Sequence, residues 1–174
     1  MAVIVISIIH HYTLFVDVSC PPSWSVFRGH CYTLLSDYHD VEVCREDCRE
    51  GGGDLASIHD EEENEFVASF IMERPVRGGE KDTWIAGSIT DVGGEFTWMD
   101  GSRWDYENWD LGGWFHYYVT HLPHVRVLGE PDRKSLGRRH HECVFMGKNT
   151  EDVGKWWDGV CMWTRWTFDC VCKM

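Results

Sequence analysis

Apolar positions in this chain recur with two different periods, and the switches between them mark its elements. Trp24–Phe27 and Cys31–Leu35 are short apolar runs either side of Arg28-Gly29-His30, which predicts two strands joined as a hairpin. From Val41 the period lengthens. Val41, Cys44 and Cys48 stand at i, i+3 and i+7, on one face of a helix that Asp40 caps and Gly51-Gly52-Gly53 stops. Asp54–Ile58 reads as a short strand. A second helix opens at His59-Asp60, with Asp60 and Glu63 as a capping pair and Phe66, Val67, Phe70 and Ile71 as its buried stripe. Pro75 and Gly78-Gly79 end it. The acid run Glu61-Glu62-Glu63 reads as a solvated first turn that suits the positive end of the helix dipole.

Beyond that helix the pattern becomes strand and turn. Thr83–Ile85 and Phe96–Trp98 are strands, with a turn over Asp91–Glu95 between them and Asp100-Gly101 closing the second. Periodicity then lapses from Ser102 to His141, a stretch longer than a compact domain carries without purpose. Strands resume at Glu142–Met146, Lys155–Trp157 and Trp166–Cys172. At the other end, residues 2–9 (AVIVISII) fit either the apolar core of a signal peptide or an N-terminal β-strand. Eight residues, seven of them apolar, are too few to span a bilayer. Residues 1–19 are therefore set apart from a single domain over 20–174.

Composition narrows the function classes. A chain of 174 residues, 43% hydrophobic and 26% charged, can bury one core. Its net charge of −13 argues against nucleic acid and anionic membrane surfaces, which want Lys/Arg patches. Eight cysteines, an even number, point to a disulfide framework and hence a secreted or extracellular setting. Zinc would want C-x2-C pairs, whereas the spacings are Cys20-x10-Cys31, Cys44-x3-Cys48, Cys143-x17-Cys161 and Cys170-x-Cys172. There is no G-x-S-x-G, H-E-x-x-H or phosphate loop, so the expectation is a binding protein and not an enzyme.

Several motifs then fall into one order. They are Cys20…Trp24…Gly29-His30-Cys31-Tyr32, Gly52-Gly53-Asp54-Leu55-Ala56-Ser57-Ile58, Trp84-Ile85, Glu130-Pro131-Asp132, Glu142-Cys143-Val144 and Trp156-Trp157-Asp158…Cys161…Cys170. Together they resemble the C-type lectin-like domain in its long form. The resemblance implies an α+β fold with two helices, two small antiparallel sheets and a long loop over about 102–141 that carries a calcium and sugar site. It also implies bridges Cys20–Cys31 and Cys143–Cys161, and a further bridge from the first helix to the last strand. Cys48 would pair there with Cys170 or Cys172, and the surplus Cys44 with the other. The register stays open.

In sugar-binding members of that family the calcium ligands come from a Glu-Pro-Asn triplet, an acid two residues before a loop cysteine, and a Trp-Asn-Asp triplet. Carried across, Glu130, Asp132 and Asp158 remain as oxygen ligands. His141 stands in place of the acid, and Trp157 in place of the Asn, where an indole offers no oxygen. Calcium dependence is therefore expected to be weakened or lost, with Glu130, Asp132, Trp157 and Asp158 still contacting a glycan or glycoprotein. A second departure is the insert over about 110–128, whose Trp114, Phe115, Tyr117, Tyr118 and Val119 form an aromatic patch of the kind found at contact surfaces. Trp114 and Tyr117 are its candidate anchors for a protein ligand, the alternative partner. His121-x2-His124 with His140 or His141 is a lesser candidate, for zinc.

Overall fold

The structure is a computed structural model, and it describes residues 19–73, 82–89, 94–110, 142–147, 153–162 and 167–174. The signal-peptide or strand expectation for residues 1–18 lies outside the described residues, as do Trp114, Tyr117, Glu130, Asp132 and the loop histidines.

The hairpin forms as β1 (Ser25–Phe27) and β2 (His30–Tyr38), paired Val26 to Cys31 across a turn where Gly29 takes φ +85°. Helix α1 (Val41–Glu50) starts where Asp40 accepts the Glu42 amide at 2.9 Å, and Val41, Cys44 and Cys48 are its buried face. The strand expected over Asp54–Ile58 shrinks to β3 (Asp54–Leu55). Ala56 instead bonds to two partners, its amide donating to Val171 and its carbonyl accepting from Ala86, so this segment wedges between two strands. Helix α2 (Glu61–Glu73) buries Val67, Ala68, Phe70 and Ile71, while Phe66 stacks on Phe27 at 4.3 Å.

The remaining strands are β4 (Thr83–Ile89), β5 (Thr97–Trp98), β6 (Glu142–Met146), β7 (Trp156–Val160) and β8 (Phe168–Lys173). The two antiparallel sheets appear as β1-β2-β8 and β4-β6-β7, but they are not separate. A short parallel contact, Thr83 to Asp169 and Trp84 to Cys170, joins them into one mixed sheet of order β1-β2-β8-β4-β6-β7. Strand β4 at the junction is buried along its whole length, as a strand covered on both faces must be. Among the described residues no helix is long and apolar enough to cross a membrane.

All eight cysteines are bridged. Cys20–Cys31 clips the hairpin and Cys143–Cys161 ties β6 to the end of β7, with Cα atoms 5.5 and 5.0 Å apart. Cys44 pairs with Cys170 and Cys48 with Cys172, which settles the register. One helical turn (about 6 Å) matches two strand residues (about 6.6 Å), so the two bridges run side by side from α1 to β8.

The acid run on α2 departs from its expected role. Glu61 and Glu62 are exposed, but Glu63 is buried. Its Oε1 accepts from the Tyr32 hydroxyl at 2.7 Å and the Lys173 ammonium at 2.5 Å, and its Oε2 accepts the His59 amide at 2.9 Å. Burial alone would raise the Glu63 carboxyl, but Lys173 and Tyr32 outweigh it and hold it below the usual carboxylate range. Burial works against Asp54 too, and the Arg45 hydrogen bond at 2.8 Å overcomes it. Burial and the same Glu63 contact push the Tyr32 hydroxyl far up.

Two outcomes follow. A bridge closing a loop of 124 or 126 residues is worth about 5 kcal/mol in the chain-entropy model, whereas the second of two adjacent bridges closes only a small ring and adds about 2–3 kcal/mol. Replacing Cys44 and Cys170 by Ser should thus lower urea-unfolding stability by about 2–3 kcal/mol. Removing Cys48 and Cys172 as well should bring the loss to roughly 6–8 kcal/mol. For pH the sign is set by depressed carboxylates. Their stabilisation is complete above the unfolded pKa values of about 4 and is lost as pH falls through the lower folded values. Urea midpoints should stay level on that account from pH 7 to about 5 and fall below about pH 4, with a shallower acid limb in Glu63→Gln.

Candidate functional site

Two of the residues implicated from sequence, Trp157 and Asp158, lie on β7, and the structure shows what holds that strand in place. Trp156, just before them, is fully buried. Its indole N–H donates to Asn64 Oδ1 on α2 at 2.8 Å. Around the ring stand Trp98, Trp104, Tyr106 and Trp109, with centroids 5.6–6.0 Å away and planes inclined 70–82° to it. These are edge-on contacts, the arrangement that sets the positive rim of one ring against the negative face of another.

Backbone bonds lock the base of the long loop to the same residue. The Trp156 amide donates to the Asn108 carbonyl and the Asp110 amide to the Trp156 carbonyl, both at 3.0 Å, so residues 108–110 run parallel to β7 at its start. Lys155 Nζ donates to Asn108 Oδ1 at 2.7 Å. The Gly154 carbonyl accepts from both Asn108 Nδ2 at 2.8 Å and Asn64 Nδ2 at 3.1 Å. Asn64 and Asn108 were not singled out from the sequence. Asn64 could have been, because it lies three residues before Val67 on the buried stripe of α2, where a polar side chain needs an internal partner.

Side chains alternate along β7, so Trp156 and Asp158 share one face and Trp157 points to the other. Asp158 is half-buried and sits opposite Val144 in the ladder. Trp157 lies opposite Phe145 and stacks on it, with centroids 6.2 Å apart and planes 16° from parallel. Its six-membered ring also closes over Gly147, so tightly that a Cβ at that position would overlap the Trp157 ring. Trp157 therefore fills a packing site. For calcium, the described part of the rim supplies one carboxylate, Asp158, and an indole where an oxygen is required, so this half does not fit a full calcium shell. Glu130, Asp132 and His141 lie outside the described residues.

A second polar relay sits at the base of the loop. His59 Nδ1 lies 2.8 Å from Asp105 Oδ1, and His59 Nε2 lies 3.1 Å from Ser57 Oγ. The order is that of a serine-nucleophile triad, but Ser57 is buried and hydrogen-bonded to Asp100 as well, which leaves its hydroxyl no approach for a substrate. The relay ties Asp100 and Asp105 to Ser57 and His59.

A family model described as the Lectin C-type domain matches residues 38–174. Human C-type mannose receptor 2 is 35% identical over 94 residues, which are 54% of this chain and 6% of that protein. The human low affinity immunoglobulin epsilon Fc receptor is 30% identical over 147 residues, 84% of this chain and 36% of that protein. This chain thus spans less than two thirds of the length of these curated relatives. The cow C-type carbohydrate-recognition domain of CD23, solved in the presence of GlcNAc2Man3 oligosaccharide, superposes with a TM-score of 0.63 at 26% identity over 90% of this chain and 95% of that one.

Asn64→Ala should strand the Trp156 indole N–H in the core at a cost of roughly 1–3 kcal/mol. Chemical unfolding followed by tryptophan fluorescence checks it.

Proposed function

The chain belongs to the C-type lectin domain family, and on that premise we propose that it is an extracellular module that recognises a glycan or glycoprotein through the rim of β7 and the long loop, with calcium dependence weakened or lost. Domains of this family bind carbohydrate or protein, and four disulfides suit an oxidising compartment. Asp158 would contact the ligand from β7, joined by Glu130 and Asp132 from the loop, with Trp114 and Tyr117 as aromatic anchors from the insert.

One observation carries the reading: the Trp157 ring is packed on Phe145 and Gly147 at the position where the family's metal ligand set needs an oxygen. Three carboxylates with water could hold calcium only loosely. Glu130, Asp132 and Asp158 can accept hydrogen bonds from sugar hydroxyls without a metal. Trp157 keeps some exposure, and the part of its ring left open can stack against a sugar face. One relative is named for an immunoglobulin Fc region and a structural neighbour was solved in the presence of an oligosaccharide, which supports protein and glycan alike as ligand classes here. The protein reading rests on the aromatic insert.

The test is glycan-array binding followed by calorimetry, with calcium and with EDTA, in the parent and in Asp158→Ala. The expected result is glycan binding that survives EDTA with less than about a tenfold loss, or 1.4 kcal/mol, and weakens in Asp158→Ala. Binding abolished by EDTA would restore a calcium-dependent lectin, and no glycan binding at all would leave the protein ligand.

A further inference from the structure

At the other edge of the sheet an open cleft of about 200 Å³ is lined by Phe27, Arg28, His30, Tyr32, His59, Asp60, Glu63 and Lys173. Strand β2 is four sheet positions from β7, roughly 19 Å at normal strand spacing, so this cleft is not part of the loop rim. Its volume lies below the ~300–1,000 Å³ of pockets for drug-sized ligands and suits a single ring.

The walls are built of charge that is already balanced. Lys173 and Glu63 pair at 2.5 Å, Arg28 and Asp60 at 2.6 Å, and each pair is neutral in sum. A charged ligand would have to displace one of these partners, whereas an uncharged one would not. The hydrogen-bonding capacity left over is of both kinds. Lys173 Nζ donates to Glu63 and to the Ser57 carbonyl at 3.1 Å, which leaves its third N–H. Arg28 bonds through Nη1, to Asp60 and more distantly to Glu62, which leaves Nε and Nη2. Asp60 Oδ1 accepts only the Glu63 amide and Oδ2 only Arg28, so each keeps a lone pair. A group that donates and accepts at one atom uses such a wall best, and that group is a hydroxyl. Phe27 adds an apolar surface at the edge of the cleft; one of its faces is taken by Phe66.

We propose that this cleft is a second, metal-independent subsite for one uncharged, hydroxyl-rich ring, a pyranose unit, held by Arg28, Lys173 and Asp60 against Phe27. Arg28 and Asp60, with side chains 52% and 45% accessible, form the lip of the site beside the exposed His30, and Lys173 is its floor. The subsite does not depend on the loop rim or on calcium. Single-ring affinity here is expected in the millimolar range, and its consequence is a second point of attachment for a branched or repeated glycan.

The test is amide NMR titration of the full chain in EDTA with the methyl glycosides of mannose, galactose and N-acetylglucosamine, with sodium acetate as a charged control. Saturable shifts at Arg28, His30 and His59, weakened at least fivefold in Arg28→Ala and in Asp60→Asn but unchanged in Asp158→Ala, are the expected result. Asp60→Asn keeps the helix cap, so loss there is not a folding defect. The proposal is overturned if no glycoside shifts these amides, if acetate alone reproduces the shifts, or if Asp158→Ala abolishes them. Failure of glycan binding at the loop rim leaves the outcome untouched, because that rim reports through residues around Trp157.

Discussion

The fold turns on the burial of one indole. Trp156 connects three parts of the chain that are far apart in sequence: α2 through Asn64, the base of the long loop through Asn108, Trp109 and Asp110, and the strand that carries Asp158. A large ring set edge-on among four others gains area burial plus about 0.5–1.5 kcal/mol per favourable aromatic pair. Its one polar atom has a single protein partner, so the cluster specifies an orientation as well as a volume. The pairing of residues 108–110 with Trp156 gives this part of the chain a fixed position beside the start of β7.

The other half of the molecule is held by covalent and ionic means. Two disulfides run from α1 to β8, and β8 in turn pairs with β2 and β3 and lies parallel to β4. Lys173 at the end of β8 reaches Glu63 at the start of α2, so the strand bridged to α1 is tied to the second helix as well. The parallel contact that fuses the two sheets is two residue pairs long, and the bridged strand beside it keeps those pairs in register.

Much of this was legible in the chain. The i, i+3, i+7 spacing of Val41, Cys44 and Cys48 gave a helix face that is buried, and Glu142–Met146 forms a strand with the bounds its pattern implied. The hydrophobic period works where one face meets the core. It fails where polar residues do the packing. Glu63 and Asn64 lie on the buried stripe of α2, but the acid run around them reads as solvated surface, because periodicity cannot see a partner more than a hundred residues away such as Lys173. Asp54–Ile58 reads as one strand, yet beyond Leu55 the backbone of Ala56 bonds to two different neighbours, Val171 and Ala86, and not to one ladder. At the rim, Asp158 and Trp157 could be placed by motif. What Trp157 does instead of binding metal could not, since Phe145 and Gly147 meet it only in three dimensions.

That last contact makes two positions interdependent. A glycine lies under the Trp157 ring because any larger side chain at 147 would occupy the same space, and the ring in turn fills what the glycine leaves empty. A smaller side chain at 157, which is only half-buried, would leave a groove over Gly147 and uncover one face of Phe145, at a cost that grows with the apolar area exposed. A new group at 147 would have to fill that groove. The residue allowed at 147 is therefore set by the residue at 157: a side chain larger than glycine has room there only once the ring has gone.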